Sequence, residues 1–428
     1  MRVDAEFSGL DLGQVQRFRR SFAALARVLC RYRPAIFQQG SLLARESHPD
    51  LVHFALAVGG FAIGTTEFAT MSLLPYFARD LGIGVPTAGH AISAYALGVV
   101  LGAPLIAVLG ARLARRTLLI GLMLVFALAN GLTGLVPSYH AMLALRFISG
   151  LPHGAYFGVA MLVASSLVPA EKRAQASARV LMGLTVATII GVPCANWLGQ
   201  AIGWRWGFGV VAALSLLTAT LVALFAPHQP PERGASPLIE LAALENRDVL
   251  LTLAIGAVGF GGLFSVYTYL ANTLLSVTHV QEGVVPLVFA VFGAGMMTGL
   301  VVVPPFAHGR LMAVAGAILV WFAVTLAIYS LAAGHLWSIM LSVFAIGLGG
   351  ALGPILQTRL MDVAGKAQTL AAALNHSAFN VANALGPFLG GLAIAHGYGL
   401  PSTGWVGSCL ALSGLLIWTI ALKVAIHR

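Results

Sequence analysis

The chain has 428 residues, of which 59 % are hydrophobic and only 9 % are charged. Soluble domains usually carry about 25 % charged residues, so this chain could not cover the surface of a soluble fold. The composition indicates a polytopic membrane protein and excludes a disordered chain, a disulfide scaffold and a nucleic-acid-binding domain. Cys30, Cys194 and Cys409 lack metal-ligand spacing, so we expect no disulfide framework and no metal site.

From Leu51 onward, apolar stretches long enough to cross a bilayer follow one another. A membrane-spanning helix needs about 20 mostly apolar residues, and the runs are continuous rather than alternating as in a β-barrel. The fold class that we predict is an all-α polytopic membrane protein with twelve spans, numbered 1 to 12 in chain order: 51–77, 86–109, 117–137, 139–167, 177–202, 204–226, 249–276, 283–305, 311–333, 336–360, 369–395 and 403–425.

The Lys and Arg residues between the spans predict that both termini are cytoplasmic, because inner loops of membrane proteins are enriched in these residues. With that orientation the outer loops hold only Arg79 and Arg205. The thirteen on the inner side are Arg112, Arg115, Arg116, Lys172, Arg173, Arg179, Arg233, Arg247, Arg310, Arg359, Lys366, Lys423 and Arg428. The net charge of +10 is therefore a topology signal rather than a sign of a nucleic-acid partner.

Four regions follow from this pattern. Residues 1–50 form a basic cytoplasmic extension with no secretory signal; it is either an in-plane amphipathic helix, a tail without fixed structure, or an addition from an upstream translation start. We expect a six-helix bundle over 51–226, a cytoplasmic linker over 227–248 and a second six-helix bundle over 249–428.

The two bundles resemble each other in sequence. The run that begins at Phe147 in span 4 is similar to the run at Phe344 in span 10, an offset of 197 residues. Pro193 in span 5 matches Pro387 in span 11 at an offset of 194 residues. A duplicated, pseudo-symmetric unit places a substrate site near mid-membrane, between the halves.

Glu67 is the one carboxylate well inside a predicted span. Burial favours the neutral, protonated form of a carboxyl group, so this residue is a candidate proton carrier. The alternative is a permanently neutral glutamate that only ties helices together.

Arg146 in span 4 lies on one helical face with Gly150 and His153. Because arginine stays charged, it needs water or an anionic partner, and Glu67 is a candidate partner. The alternative is an arginine that extends to lipid headgroups. His153 either joins a proton relay or is a hydrogen-bonded packing residue.

Two polar stripes at helical spacing predict a solute cavity, or else ties between helices. Span 7 carries Ser265, Tyr269, Asn272 and Ser276, and span 11 carries His376, Asn380, Asn383 and Pro387. From these stripes we take as cavity candidates Tyr269, Asn272, His376, Asn380 and Asn383.

These features together resemble the major facilitator superfamily. The resemblance rests on the run from Glu67 to Pro75, the run Arg146-Phe-Ile-Ser-Gly-Leu-Pro-His-Gly, the Gly/Pro run of span 5 and Gly203-Trp-Arg-Trp-Gly-Phe. It covers about 51–425 and is strongest to twelve-span drug:proton antiporters, in the branch of arabinose and sugar efflux permeases and chloramphenicol exporters. The family implies two bundles with alternating access and proton-driven export.

The resemblance also assigns roles to residues. Arg146 matches the arginine implicated in proton transfer, Glu67 matches an acidic position of span 1, and Gly183, Gly191 and Pro193 match the antiporter motif of span 5. The loop after span 2 departs from the family pattern, because alanine stands at position 111 where the family has aspartate. The usual contact between this aspartate and a helix on the inner face therefore lacks its aspartate here. The positive charges of the loop remain at Arg112, Arg115 and Arg116.

We therefore expect a proton-coupled exporter of sugars or drugs in the cell inner membrane, driven by the proton gradient and working as a monomer without a cofactor. Its partners would be a small-molecule substrate, protons and the lipid bilayer. An uptake symporter or a uniporter of the same fold is the first alternative. A membrane-embedded enzyme is the second, and the chain has no HExxH, no Gly-x-Ser-x-Gly and no pair of intramembrane aspartates to support it.

Overall fold

The computed structural model describes residues 49–110, 113–169, 173–228, 246–307, 309–364 and 368–426. The N-terminal extension and most of the 227–248 linker lie outside these residues, as do Arg112 and four other basic residues of the topology pattern. The described part is helical, and twelve of its helices are long and apolar enough to cross a membrane, as predicted.

Eight spans are single helices: Pro49–Ser72, Val85–Gly110, Arg115–Thr133, Tyr139–Ser166, Trp204–Phe225, Val285–Val302, Leu311–Ala332 and Ser402–Ile426. A short helix, Leu74–Asp80, follows span 1. Span 11 is the helix Gln368–Ala393, extended by a π-helical turn at Ile394–Tyr398.

Three spans are interrupted near their middle. Span 5 consists of Arg173–Val186, a π-helical turn at Ala187–Gly191 and Val192–Ile202. Span 7 consists of Arg247–Gly259 and Gly261–Ser276, and span 10 consists of Leu336–Leu348, a 3-10 turn at Gly349–Ala351 and Leu352–Val363. The turn in span 5 ends two residues before Pro193, which has no N–H to continue the α-helical hydrogen bonds and so favours an irregular turn there.

The two sets of six spans pack in the same pattern. Within the first set, span 1 packs on span 5, span 2 on span 4 and span 3 on span 6; within the second, span 7 packs on span 11, span 8 on span 10 and span 9 on span 12. The sets meet where span 2 contacts span 11, span 5 contacts span 8 and span 1 contacts span 7. The twelve helices therefore form two pseudo-symmetric six-helix bundles.

Glycines repeat this symmetry in detail at the crossing of spans 2 and 4 and at that of spans 8 and 10. A Cβ atom on Gly98 would lie 2.1 Å from the carbonyl oxygen of Phe147, and one on Gly295 would lie 2.3 Å from that of Phe344. Gly98 and Gly295 are 197 residues apart, as are Phe147 and Phe344, which is the offset predicted from the sequence. The small residues allow the backbones to approach closely, which is how helices associate in lipid.

The outer surface of the bundles is apolar. Large side chains such as Leu128, Leu331 and Leu341 are more than 60 % exposed, as expected for positions that face lipid tails rather than water. Five exposed tryptophan and tyrosine residues lie toward the spans' ends opposite the basic loops: Trp197, Trp206, Trp337, Tyr398 and Trp405. We call that end the distal face and the end with the basic loops the basic face. Tryptophan and tyrosine favour membrane–water interfaces, so these residues fit one interface of a bilayer.

Candidate functional site

Glu67 is buried between the two bundles. Its side chain is only 6 % exposed, and its Oε1 atom accepts a hydrogen bond of 3.1 Å from Nδ2 of Asn383 in span 11. This bond joins span 1 to a helix of the other bundle. Because Asn383 is neutral, its hydrogen bond is compatible with both the protonated and the ionised form of Glu67. A cationic partner would instead favour the ionised form.

Arg146 in span 4 is completely buried. Its guanidinium group lies over the ring of Tyr95, 4.2 Å from the centroid, and 5.7 Å from that of Phe208. Both are cation–π distances. The side chain therefore does not extend to lipid headgroups, which was the alternative that the sequence left open.

Glu67, the candidate partner of Arg146, makes no ion pair with it. Of the residues that the structure describes, the ion pairs within 4.0 Å are Arg179 with Asp50 and Arg205 with Asp80. Arg146 instead donates from Nη1 to the hydroxyl of Thr66 at 3.2 Å, and its Nε and Nη2 groups have no hydrogen-bond partner.

Thr66 and Asn130 complete a chain that sequence reasoning missed. The Thr66 hydroxyl donates to Oδ1 of Asn130 at 2.7 Å, and Nδ2 of Asn130 donates to the carbonyl oxygen of Phe126 at 2.8 Å. Both residues are buried. The available signal was an asparagine in the last turn of the otherwise apolar span 3, which is costly inside a span unless it is hydrogen-bonded.

His153 lies next to Tyr95 rather than next to Glu67. The Tyr95 hydroxyl and Nδ1 of His153 share a hydrogen bond of 2.9 Å. The His153 ring contacts Phe157, which in turn stacks on His376 of span 11 with centroids 5.5 Å apart and an interplanar angle of 3°. His153 and His376 are thus separated by a phenylalanine, and the structure contains no direct relay between them.

The polar stripes of spans 7 and 11 divide into ties and unpartnered groups. Tyr269 donates to the carbonyl oxygen of Pro387 at 2.8 Å, which is the interhelical tie that the sequence allowed as an alternative. The amide oxygens of Asn272, Asn380 and Asn383 are buried without a hydrogen-bond partner, although Nδ2 of Asn380 donates to the carbonyl of His376 within its own helix. These three oxygens are free acceptors toward the interior.

Two hydroxyl groups beside this stripe were not predicted. Tyr267 and Thr268 are fully buried, and their hydroxyls have no partner. Phe68, the residue after Glu67, contacts the rings of Tyr267 and Phe264. The interior next to Glu67 therefore combines unused hydrogen-bonding groups with aromatic surface, which is the usual character of a small-molecule site.

The motif glycines lie at close helix crossings. A Cβ atom on Gly150 would lie 2.1 Å from the carbonyl oxygen of Tyr95, and one on Gly183 would lie 2.1 Å from that of Ala57. Gly191 ends the π-helical turn of span 5 and faces the Thr65 hydroxyl. Together with Pro193, these residues place span 5 close against span 1 and make its middle irregular.

The basic loop after span 2 is described only in part. Arg116 donates to the carbonyl oxygen of Ala223 and contacts His228, so it ties the start of span 3 to the end of span 6. Arg115 begins span 3. In the described parts of the chain, no group of three or more His, Cys, Asp and Glu side chains could hold a metal ion.

Comparison with known proteins agrees with this architecture. The family model described as Major Facilitator Superfamily matches residues 56–313, which is more than half of the chain.

The chain belongs to the major facilitator superfamily.

Members of this superfamily with similar sequences include the inner membrane transport protein YdhP of Escherichia coli K12, which is 39 % identical over 378 residues, or 86 % of this chain and 95 % of that protein. The chloramphenicol resistance protein of Streptomyces lividans is 35 % identical over 382 residues, or 87 % of this chain and 94 % of that protein.

A solved structure shares the major facilitator fold at low sequence identity. The crystal structure of a bacterial homologue of the human lysosomal transporter Spinster, in an inward-facing and occupied conformation, has a TM-score of 0.67 and 16 % identity, and the match covers 90 % of this chain and 98 % of that one. The protein is thus a multi-pass membrane transporter.

Proposed function

We propose that the protein is a proton-coupled exporter of small molecules and that Glu67 carries the proton. The observation on which this depends is a buried carboxyl group between the two bundles, bonded to a neutral amide and close to a buried cation that does not neutralise it. Such a group can change its charge during a cycle of alternating access. The proton gradient is the energy source in this proposal, and no cofactor is involved.

The hydrogen bond between Glu67 and Asn383 links proton binding at Glu67 to the contact between the two bundles. Ionised Glu67 accepts from Nδ2 of Asn383 as a charge-assisted bond, whereas the protonated form accepts more weakly and gains a donor of its own. Protonation therefore changes the strength of a contact between span 1 and span 11. We propose that substrate and proton bind alternately because both use this region.

The substrate class that fits the interior is an uncharged, partly aromatic molecule with hydrogen-bond donors. The unpartnered oxygens of Asn272, Asn380 and Asn383 accept hydrogen bonds, and the rings of Phe68 and Phe264 supply apolar surface. The relative in Streptomyces lividans, a chloramphenicol resistance protein, supports a drug of this kind. Sugars, the other class implied by the resemblance, share the donors but lack the aromatic part.

A substrate panel in proteoliposomes tests the function. Purified protein is reconstituted, a pH gradient is imposed, and the accumulation of labelled chloramphenicol and arabinose is measured with and without a protonophore. We expect at least one of them to accumulate against its gradient, and the protonophore to abolish that accumulation. Equilibration of a compound without any accumulation would contradict proton coupling and favour the uniporter.

The orientation of the chain is a separate prediction. We propose that the basic face and both termini are cytoplasmic, because the sequence assigns thirteen Lys and Arg residues to the loops and terminus of that side and two to the opposite loops. We also propose that the protein works as a monomer in the inner membrane. Reporter fusions at residue 240 and at the C-terminus should both indicate cytoplasm. A periplasmic signal from either fusion would contradict the orientation.

A further inference from the structure

The environment of Arg146 raises a physical question, because a buried guanidinium group normally pairs with the nearest carboxylate. Arg146 has two N–H groups without a partner, Nε and Nη2, and Glu67 lies within range of its charge. A direct ion pair would hold Glu67 in its ionised form and prevent proton exchange near neutral pH. Another contact must therefore hold the guanidinium group of Arg146 away from Glu67.

The hydrogen-bond chain behind Arg146 has a fixed direction. The carbonyl oxygen of Phe126 can only accept, so the amide of Asn130 must present Nδ2 to it and Oδ1 to Thr66. The single hydroxyl hydrogen of Thr66 is then used by Asn130. The remaining lone pairs of Thr66 face Nη1 of Arg146 as an acceptor.

Helix geometry separates the two sides of span 1. Thr66 and Glu67 are consecutive residues, so their side chains point about 100° apart around the helix. Thr66 faces spans 3 and 4, where it bonds Asn130 and Arg146, while Glu67 faces span 11 and bonds Asn383. A guanidinium group bound to Thr66 is thereby held on a different face of span 1 from the face that bonds Asn383.

We propose that Thr66, oriented by Asn130, is a positioning residue that keeps the Arg146 guanidinium group from pairing with Glu67, so that the carboxyl group stays free to gain and lose a proton. The inference rests on the proposed proton coupling. It assigns a role to a threonine and to an asparagine that neither the motifs nor the charges of the sequence singled out.

The test measures protonation of Glu67 without any substrate. Dicyclohexylcarbodiimide reacts with protonated carboxyl groups in apolar surroundings, and mass spectrometry of the purified protein locates the modified residue. Glu67 bonds the neutral Asn383, and the ionisable groups near enough to interact with it electrostatically are Arg146 from span 4, Tyr95 from span 2 and Tyr267 from span 7. Tyrosines stay neutral below about pH 10, so a changed profile between about pH 5 and pH 9 reports on Arg146.

Three variants separate positioning from mere packing. Thr66→Val keeps the shape but removes the hydroxyl, and we expect the midpoint of Glu67 labelling to move down by at least about one pH unit as Arg146 turns to the carboxylate. Thr66→Ser should restore the wild-type profile. Adding Arg146→Gln to Thr66→Val should also restore labelling, because the competing charge is gone. Asn130→Leu provides an independent change at the other end of the chain and should shift the profile in the same direction.

Thr133→Val is the matched control. Thr133 is also fully buried, lies one turn from Asn130 in span 3, and its hydroxyl bonds only the carbonyl of Ala129 in its own helix. Its labelling profile should equal that of the wild type. All variants are checked for monodispersity.

The outcomes distinguish the two levels of the proposal. A wild-type profile in both Thr66→Val and Asn130→Leu, with Glu67 labelled, would overturn the positioning role and leave proton coupling intact. No labelling of Glu67 in the wild type at any pH would overturn both.

Discussion

Replacement of Glu67 by glutamine is expected to abolish uphill transport driven by a pH gradient. The amide has the shape of the protonated acid and can still receive the hydrogen bond from Asn383, but it cannot release a proton. Exchange of substrate down its own gradient should survive, because exchange needs no net proton movement. The measurement is pH-driven accumulation beside substrate exchange in the same proteoliposomes.

Glu282→Gln is the control for this experiment. Glu282 is an exposed carboxylate at the start of the short turn before span 8, and its contact with Gln200 uses the backbone carbonyl rather than the side chain. Its variant should accumulate substrate like the wild type. Full uphill transport by the Glu67→Gln protein would show that Glu67 is structural and that the proton binds elsewhere, for example at His376.

Replacement of Gly150 by alanine is expected to destabilise the protein as a whole. The added Cβ atom would lie 2.1 Å from the carbonyl oxygen of Tyr95 and 3.0 Å from the backbone nitrogen of Val99, so no side-chain rotation can relieve the clash. Spans 2 and 4 would have to separate. Overpacking of this kind costs about 1–3 kcal/mol, and a backbone clash belongs at the upper end.

The control for Gly150→Ala lies in the same helix. A Cβ atom on Gly158 would meet no other atom within 4 Å, so Gly158→Ala should retain wild-type stability or gain slightly from higher helix propensity. Thermal melting in detergent, followed by size-exclusion chromatography, compares the two. Equal melting of the two variants would contradict the close crossing of spans 2 and 4.

The spans could be predicted because the bilayer imposes length and apolarity on every one of them. The predicted ends differ from the observed ones by a few residues; span 3, for example, ends at Thr133 rather than at residue 137. The largest difference follows span 1, where the apolar run continues through the separate helix Leu74–Asp80. Hydropathy alone cannot detect this break, because Pro75 fits the first turn of a new helix as well as a kink.

The internal repeat was predicted from short matches and has a clear structural cause. The repeated glycines pack at equivalent helix crossings, as Gly98 and Gly295 do. Pro193 indicated the π-helical turn of span 5, and the glycines on both sides of Phe260 are a weaker signal for the break of span 7, which the sequence analysis did not use.

The site residues that could be predicted are those whose charged side chains are costly to bury in a membrane. Glu67 and Arg146 stand out for that reason. Thr66 and Tyr95 do not, because hydroxyl side chains are common in membrane helices and often bond within their own helix, as Thr70 does. Glu67 was one candidate partner of Arg146, and the structure instead places the arginine against Thr66, whose hydroxyl gives no signal in the sequence.

The direction in which protons move while substrate moves tests proton-coupled export. Liposomes that contain the purified protein and a trapped pH-sensitive dye are loaded with a panel compound that accumulates, and a substrate gradient alone is imposed. We expect protons to move in the opposite direction to the substrate, and we expect the Glu67→Gln protein to move no protons. Substrate movement without any pH change, or with protons moving in the same direction, would contradict proton-coupled export and establish a uniporter or a symporter instead.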